Sequence, residues 1–283
     1  MRIFISADIE GVAGVVARQQ GEPGNVEYER ARRLMTEEVN AAIAGAFAGG
    51  ATSVLVNDSH GPMVNLLPEL LDPCAELLLG RPKPMNMFCG LEADFAGVLC
   101  IGYHSGAGQH GVLSHTVNGF ALAGIRVNGI DCAEATLYGA YAGSLGVPVL
   151  LLTGDDRMEA QCAPHFPGVH VAAVKRALGQ RAARALSPEA ARNLIRIEAE
   201  RAVRERDQYR PFVIAQPCRL EIDLNSVALA DLAALIPVAE RIAPRSVGFA
   251  APDIAAAMGE HDLGHVGRAA LRSKRMTAAP RIM

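Results

Sequence analysis

Four short apolar runs, at residues 2–7, 53–57, 97–103 and 147–153, each end in a polar or glycine-rich turn. Unbroken apolar character of this length is what a strand needs when both its faces are covered, and the stretches between the runs are longer and carry helical period. This alternation predicts an α/β fold, with a mostly parallel sheet flanked by helices. The clearest helix spans 26–49, where Tyr28, Leu34, Met35, Val39, Ile43 and Phe47 recur at spacings of three or four before Gly49-Gly50 stops the run. A second spans 133–145 and ends at Gly146 and Pro148. A third, 187–206, opens on Ser187-Pro188-Glu189, a capping residue followed by proline in the first turn.

The character of the chain then changes. Residues 207–217 hold two prolines and little periodicity, which marks a boundary. Beyond it, 218–224 alternates like a half-buried strand, 228–236 is helical, 246–250 is strand-like and 253–272 is helical again. These segments predict a smaller C-terminal β-α-β-α unit. The expected division is therefore a metal-binding α/β domain over 1–206, the small unit over 207–272 and a tail over 273–283. The tail has no hydrophobic face and is expected to be mobile.

Ligands of open α/β sheets bind beyond the carboxyl ends of the strands, so the residues just past each apolar run carry the functional information. The first run ends in Ser6-Ala7-Asp8-Ile9-Glu10-Gly11, the second in Asn57-Asp58-Ser59-His60-Gly61, the third in Gly102-Tyr103-His104-Ser105 and the fourth in Gly154-Asp155-Asp156. Asp8 and Glu10 are two positions apart, so in extended chain both carboxylates project to one side. Two acids on one face repel unless a cation lies between them. His60 and His104 make the set a mixture of carboxylate and imidazole, which suits zinc, manganese or iron better than calcium. Glu134, at the start of the second helix, is the best placed further acid, and five such ligands suffice for a two-metal hydrolytic site. Any one of these acids, taken alone, is more often a helix cap or a solvated loop residue, and a lone histidine is usually structural. The weight lies in several strand ends carrying metal-type ligands together.

Other signals exclude functions. The 27 Lys+Arg and 30 Asp+Glu nearly cancel, aromatic residues make up 5% of the chain with no Trp, and no basic block is interleaved with aromatics. Nucleic acid is therefore not an expected partner. The six cysteines are scattered without a C-x-x-C, as in a reduced, cytoplasmic protein. No apolar stretch approaches the ~20 residues that cross a bilayer, so no membrane partner is expected. Residues 106–111 match G-x-G-x-x-G, but the segment after them does not read as the helix that a dinucleotide cradle requires. His261 and His265, beside Glu260, have the order E-H-x-x-x-H rather than H-E-x-x-H and read as a solvated helix face.

The S-x-D-x-E-G of residues 6–11 resembles the signature of the zinc-dependent bacterial D-aminopeptidases associated with dipeptide-transport operons. The resemblance continues through Tyr28-Glu29-Arg30, Met35-Thr36-Glu37-Glu38, Val56-Asn57-Asp58-Ser59-His60, Gly102-Tyr103-His104, Ser114-His115 and Gly154-Asp155-Asp156-Arg157, covering roughly residues 1 to 260. It implies two zinc ions per subunit, with Asp8 matching the bridging carboxylate and Glu10, His60, His104 and Glu134 the remaining ligands. It also implies a catalytic role for His115, small D-Ala-containing peptide or amide substrates, and a homo-oligomer of ten subunits whose sites face an interior chamber. Residues 105–111 and 118–123 depart from the family pattern, and the basic segment 272–283 has no counterpart in it.

On this reading His115 either donates a proton to the leaving amine or stabilises the tetrahedral oxyanion. Asp58, Asp155 and Asp156 are candidates for orienting the ligand imidazoles or receiving the substrate ammonium, while Asp155-Asp156 could equally cap the following helix. The same ligands would also serve a binuclear phosphoesterase. A non-catalytic, ring-forming peptide-binding homologue is the third alternative.

Overall fold

The computed structural model describes residues 1–259. In chain order the strands are β1 (Arg2–Ala7), β2 (Ser53–Asp58), β3 (Ala75–Leu78), β4 (Phe95–Ile101), β5 (Leu122–Val127), β6 (Ile130–Asp131), β7 (Val149–Asp155), β8 (His170–Gly179), β9 (Ala182–Ala185), β10 (Cys218–Leu224), β11 (Glu240–Ala243) and β12 (Ser246–Ala251). The helices are α1 (Val26–Ala48), α2 (Glu134–Ser144), α3 (Asp156–Cys162), α4 (Pro188–Arg204), α5 (Val227–Ala233) and α6 (Ile254–Met258). Most of the helix expected over 253–272, His261, His265 and the 273–283 tail lie outside the described residues.

The larger sheet has the order β3-β2-β1-β4-β7-β8-β9, parallel throughout except for the antiparallel edge strand β9. The chain starts in β1, next to the central strand, moves outward through β2 to β3, and returns on the other side of β1 with β4. The order therefore reverses between β1 and β4, and the crevice at the carboxyl ends of these two strands is where an open sheet of this kind binds its ligand. Alternate residues of β1 serve opposite faces. Ile3 and Ile5 pack with Met35, Val39 and Ile43 of α1 and Ile195, Ala199 and Val203 of α4. Phe4 packs on the other face with Phe88, Leu137 and Tyr138. Both faces are thus covered, which accounts for the unbroken apolar runs in the sequence.

The smaller, antiparallel sheet has the order β11-β12-β10-β5-β6. Burial along β10 alternates, with Cys218, Leu220, Ile222 and Leu224 inward, as its sequence pattern requires. Two of its strands, β5 and β6, come from the middle of the chain, and Ile222 lies opposite Ile125. The sheet therefore ties residues 122–131 to 218–251, and its inward side joins α2 and the second face of the large sheet in one apolar cluster. Among the described residues no helix is long and apolar enough to cross a membrane.

Candidate metal centre

The carboxyl ends of β1, β2 and β4 converge on one buried cluster. Asp8 and Glu10 follow β1, His60 follows β2, His104 follows β4, and Glu134 is the first residue of α2. The approach of β1 to β4 requires two glycines. A Cβ at Gly102, where φ is +73°, would lie 2.2 Å from Asp8 O, and one at Gly11 would lie 2.1 Å from Tyr103 O. Beneath the cluster, the Ser6 hydroxyl meets Ser59 Oγ at 2.6 Å and the Tyr103 hydroxyl at 2.7 Å, linking the three strand ends in a buried polar knot.

The imidazoles are oriented by main-chain carbonyls. His60 Nε2 donates to Gly21 O at 2.8 Å, His104 Nδ1 to Ser105 O at 2.9 Å and His115 Nδ1 to Leu113 O at 2.9 Å. A carbonyl can only accept, so each of these nitrogens carries a hydrogen and the opposite nitrogen is left for the cluster. His60 Nδ1 lies 3.2 Å from Asp8 Oδ1 and 2.9 Å from Glu10 Oε2. His104 Nε2 lies 3.2 Å from Asp8 Oδ2 and 3.3 Å from Glu134 Oε2. His115 Nε2 lies 3.9 Å from both Glu10 Oε1 and Glu134 Oε1, and its ring stacks on that of His104 at 4.3 Å. Asp8 thus turns one oxygen to each of two histidines.

Three buried carboxylates share this space, and among the described residues none forms an ion pair with a lysine or arginine. Burial would raise the pKa of Asp8, but the close approach and charge of the His104 and His60 imidazoles outweigh it and hold the carboxyl well below its ordinary range. In Glu134, the charge of His104 likewise overcomes burial and lowers the pKa. Both histidines move the opposite way. Burial alone would strip their protons, but Glu10 and Asp8 raise His60, and Glu134 and Asp8 raise His104, well above 6.5.

A metal ion fits this set better than hydrogen bonds do. Glu10 Oε2 and His104 Nε2 are fully buried and have no hydrogen-bond partner despite neighbours close to 3 Å away. Donor atoms of Asp8, Glu10 and His104, and separately of His104, His115 and Glu134, lie within 4.8 Å of one another. Mixed carboxylate and imidazole donors are the chemistry of a transition-metal site.

His115 is carried by a loop with unusual backbone. Leu113 and Val117, two residues to either side of it, have φ of +52° and +58°. A β-branched residue adopts this conformation only where its surroundings impose it. Here the Val117 N–H donates to Glu134 Oε1 at 2.6 Å and the His115 N–H to Ser105 O at 3.1 Å. The loop is also tied to Asp155, whose Oδ2 accepts from Val112 N at 2.6 Å while Oδ1 caps α3. Asp156 Oδ1 accepts from Ala177 N at 2.8 Å. Asp58 accepts from the main-chain N–H groups of Asn65 and Leu66 and from Asn65 Nδ2. Asp58 and Asp155 thus brace loops and Asp156 braces β8, while the imidazoles of His60, His104 and His115 are held by carbonyls. No helix follows the G-x-G-x-x-G of residues 106–111.

Two further buried charged groups lie beside the cluster. Burial pulls the ammonium of Lys175 in β8 down to about 8 and pushes the carboxyl of Glu38 in α1 up to about 7. Glu38 leaves a trace in the sequence, since it interrupts the otherwise apolar stripe Ala31, Met35, Glu38, Ala42. Lys175 leaves none.

The comparisons with known proteins converge. A D-aminopeptidase family model matches residues 1–260. A D-aminopeptidase of Bacillus subtilis (strain 168) is 37% identical over 255 residues, covering 90% of this chain and 93% of that protein. The solved structure of the Zn-dependent D-aminopeptidase DppA from Bacillus subtilis, described as a self-compartmentalizing protease, superposes with a TM-score of 0.88 at 33% identity and covers both chains fully.

Proposed function

Because the chain belongs to the D-aminopeptidase family, we propose that it is a binuclear zinc aminopeptidase that hydrolyses short peptides or amides with an N-terminal D-amino acid such as D-Ala. One observation carries this reading. Buried carboxylates and imidazole nitrogens converge from three strand ends and α2, with Glu10 Oε2 and His104 Nε2 lacking any hydrogen bond. Asp8, Glu10, His60, His104 and Glu134 would hold the ions, with Asp8, which faces both histidines, between them. When bound, such ions polarise the scissile carbonyl and lower the pKa of a water molecule enough for it to attack.

The remaining work falls to the protein's own groups. His115 keeps its Nδ1 hydrogen on Leu113 O, so Nε2 is the atom that meets the substrate. From there it protonates the leaving amine or stabilises the developing oxyanion. The hydrogen bonds of the loop to Glu134 and Ser105 hold that nitrogen beside Glu10 and Glu134. A homo-oligomer that encloses its sites, ten subunits in the family resemblance, is part of the same proposal. Exposed apolar side chains such as Leu178, Leu235 and Val26 are available for its interfaces.

The test is a rate panel on the purified chain with D-alanyl and L-alanyl anilides and a phosphomonoester. The expected result is hydrolysis of the D-alanyl anilide, abolished by a chelator and restored by zinc. Turnover of the phosphomonoester alone, or peptidase activity indifferent to chelation, would overturn the proposal.

A further inference from the structure

Lys175 sits on β8, separated from β1 in the sheet by β4 and β7, yet its ammonium reaches the loop that leaves β1. Nζ donates to Glu10 O at 2.5 Å, Val12 O at 3.0 Å and Val15 O at 2.7 Å. An ammonium has three hydrogens, and all three are used on carbonyls of a single turn of chain. The side chain is 2% exposed, and among the described residues it forms no ion pair with a carboxylate. Burying a lysine in this way is costly, so the arrangement points to something the loop needs.

A register shift in β8 delivers the side chain. Gly154 pairs with Ala173 but Asp155 pairs with Lys175, so one extra residue is accommodated at Val174. Before the shift Ala172 and Val174 are buried; after it the buried positions are Lys175 and Ala177. A bulge of this kind re-aims a side chain, and without it Lys175 would point away from the loop. From the other side, Glu38 of α1 accepts from Ala13 N at 2.8 Å in the same loop. The loop's carbonyls and an amide, buried where water cannot serve them, are thereby satisfied by one cation and one acid from distant elements.

We infer that Lys175, assisted by Glu38, is a positioning residue that sets the Glu10 carboxylate on the metal centre. The inference rests on the reading of Glu10 as a metal ligand. Glu10 has its side chain in the cluster, 2.9 Å from His60, and its carbonyl on Lys175, so the ammonium fixes the backbone from which the ligand projects. The following N–H, of Gly11, is fixed in turn on Gly102 O at 2.7 Å. Loosening this loop weakens the ion that depends on Glu10 while leaving the His104 and Glu134 side of the centre intact.

The experiment measures zinc per chain after equilibration in zinc buffers of defined free concentration, with the cobalt-substituted absorption spectrum as a second readout. It compares the full-length wild type with Lys175→Met, Glu38→Ala and Val174→Ala. The first two are expected to keep one tight ion and bind the second about 10- to 100-fold more weakly, the range found when groups supporting a metal ligand are removed. Their cobalt spectra are expected to change accordingly. Val174→Ala, a cavity in the same strand, is expected to lower the melting temperature and keep two ions. Folded Lys175→Met or Glu38→Ala protein that holds two ions with wild-type affinity overturns the inference; if Lys175→Met does not fold, Glu38→Ala decides. A wild type that binds no metal would overturn this inference and the proposed function together, whereas a two-metal wild type matched by either folded variant overturns the inference alone.

Discussion

On the smaller sheet, Arg126 reaches Glu221 at 3.2 Å and Asp223 at 2.6 Å, with all three side chains 28–31% exposed. At the carboxyl edge of the larger sheet, Asp8, Glu10 and Glu134 face His60 and His104 at similar distances, but these side chains are only 1–11% exposed. Asp223 is held below its ordinary pKa first by its hydrogen bond to Arg126, and Asp8 by two imidazoles that outweigh its burial. The contrast lies in what the cations can do. A guanidinium keeps its proton throughout the working range of a protein, so the pairs on the small sheet are permanent and, being partly solvated, contribute little to stability. An imidazole can give its proton up, so the buried cluster can exchange protons for metal ions. Ionisable groups of similar spacing thus make surface trim in one sheet and a reactive centre in the other.

The two regions should respond very differently to substitution. Asp8→Ala removes the carboxylate that faces both histidines and is expected to abolish binding of both ions and to reduce turnover on the order of 10³-fold or more, measured by metal analysis and steady-state kinetics. His115→Ala is expected to slow turnover about 10²- to 10⁴-fold while zinc content stays at the wild-type level. Loss of zinc in that variant would make His115 a ligand.

An intermediate effect should appear as a function of pH. His60 and His104 have pKa values raised above 6.5 in the metal-free protein, so below those values zinc must expel a proton from each. Apparent zinc affinity is then expected to fall by up to about tenfold per histidine for each pH unit of acidification. The sign reverses for the metal-free fold. The stabilisation from the paired histidines is fully present below about pH 6.5 and is lost as pH rises through their raised values. The Asp8 contribution is present above the ordinary carboxyl range and is lost as pH falls through its lowered value. Thermal unfolding with and without zinc should therefore diverge increasingly as pH rises, and a gap that narrows would contradict the assignment of these two histidines to the centre. The smallest effect is expected from Arg126→Ala, which should change stability by no more than ~1 kcal/mol and leave zinc content and kinetics unaltered.

Much of the architecture is visible in local sequence because it depends on local pattern. Residues 2–7 and 218–224 become β1 and β10 with those bounds, one unbroken because both faces are covered and the other alternating because one is. Helix 26–49 ends one residue earlier, at Ala48, and Ser187 caps α4 through a hydrogen bond from Ala190 N. The strand-end rule was enough to single out Asp8, Glu10, His60 and His104 as neighbours. What local pattern does not carry is contact between distant segments. Nothing in residues 122–127 indicates that they pair with 218–224. The carbonyls of Gly21, Ser105 and Leu113 orient three imidazoles without any side-chain signature. Lys175 stands among Val174 and Arg176 like any lysine on a strand, and only the register shift against β7 turns it inward.

The most direct test is the metal content of the wild-type chain, determined by elemental analysis after exhaustive dialysis and compared with its activity on a D-alanyl anilide. Two equivalents of a transition metal per chain, removed by chelator in step with activity, are expected. A chain that hydrolyses this substrate at its full rate while carrying no metal would contradict the account at its centre.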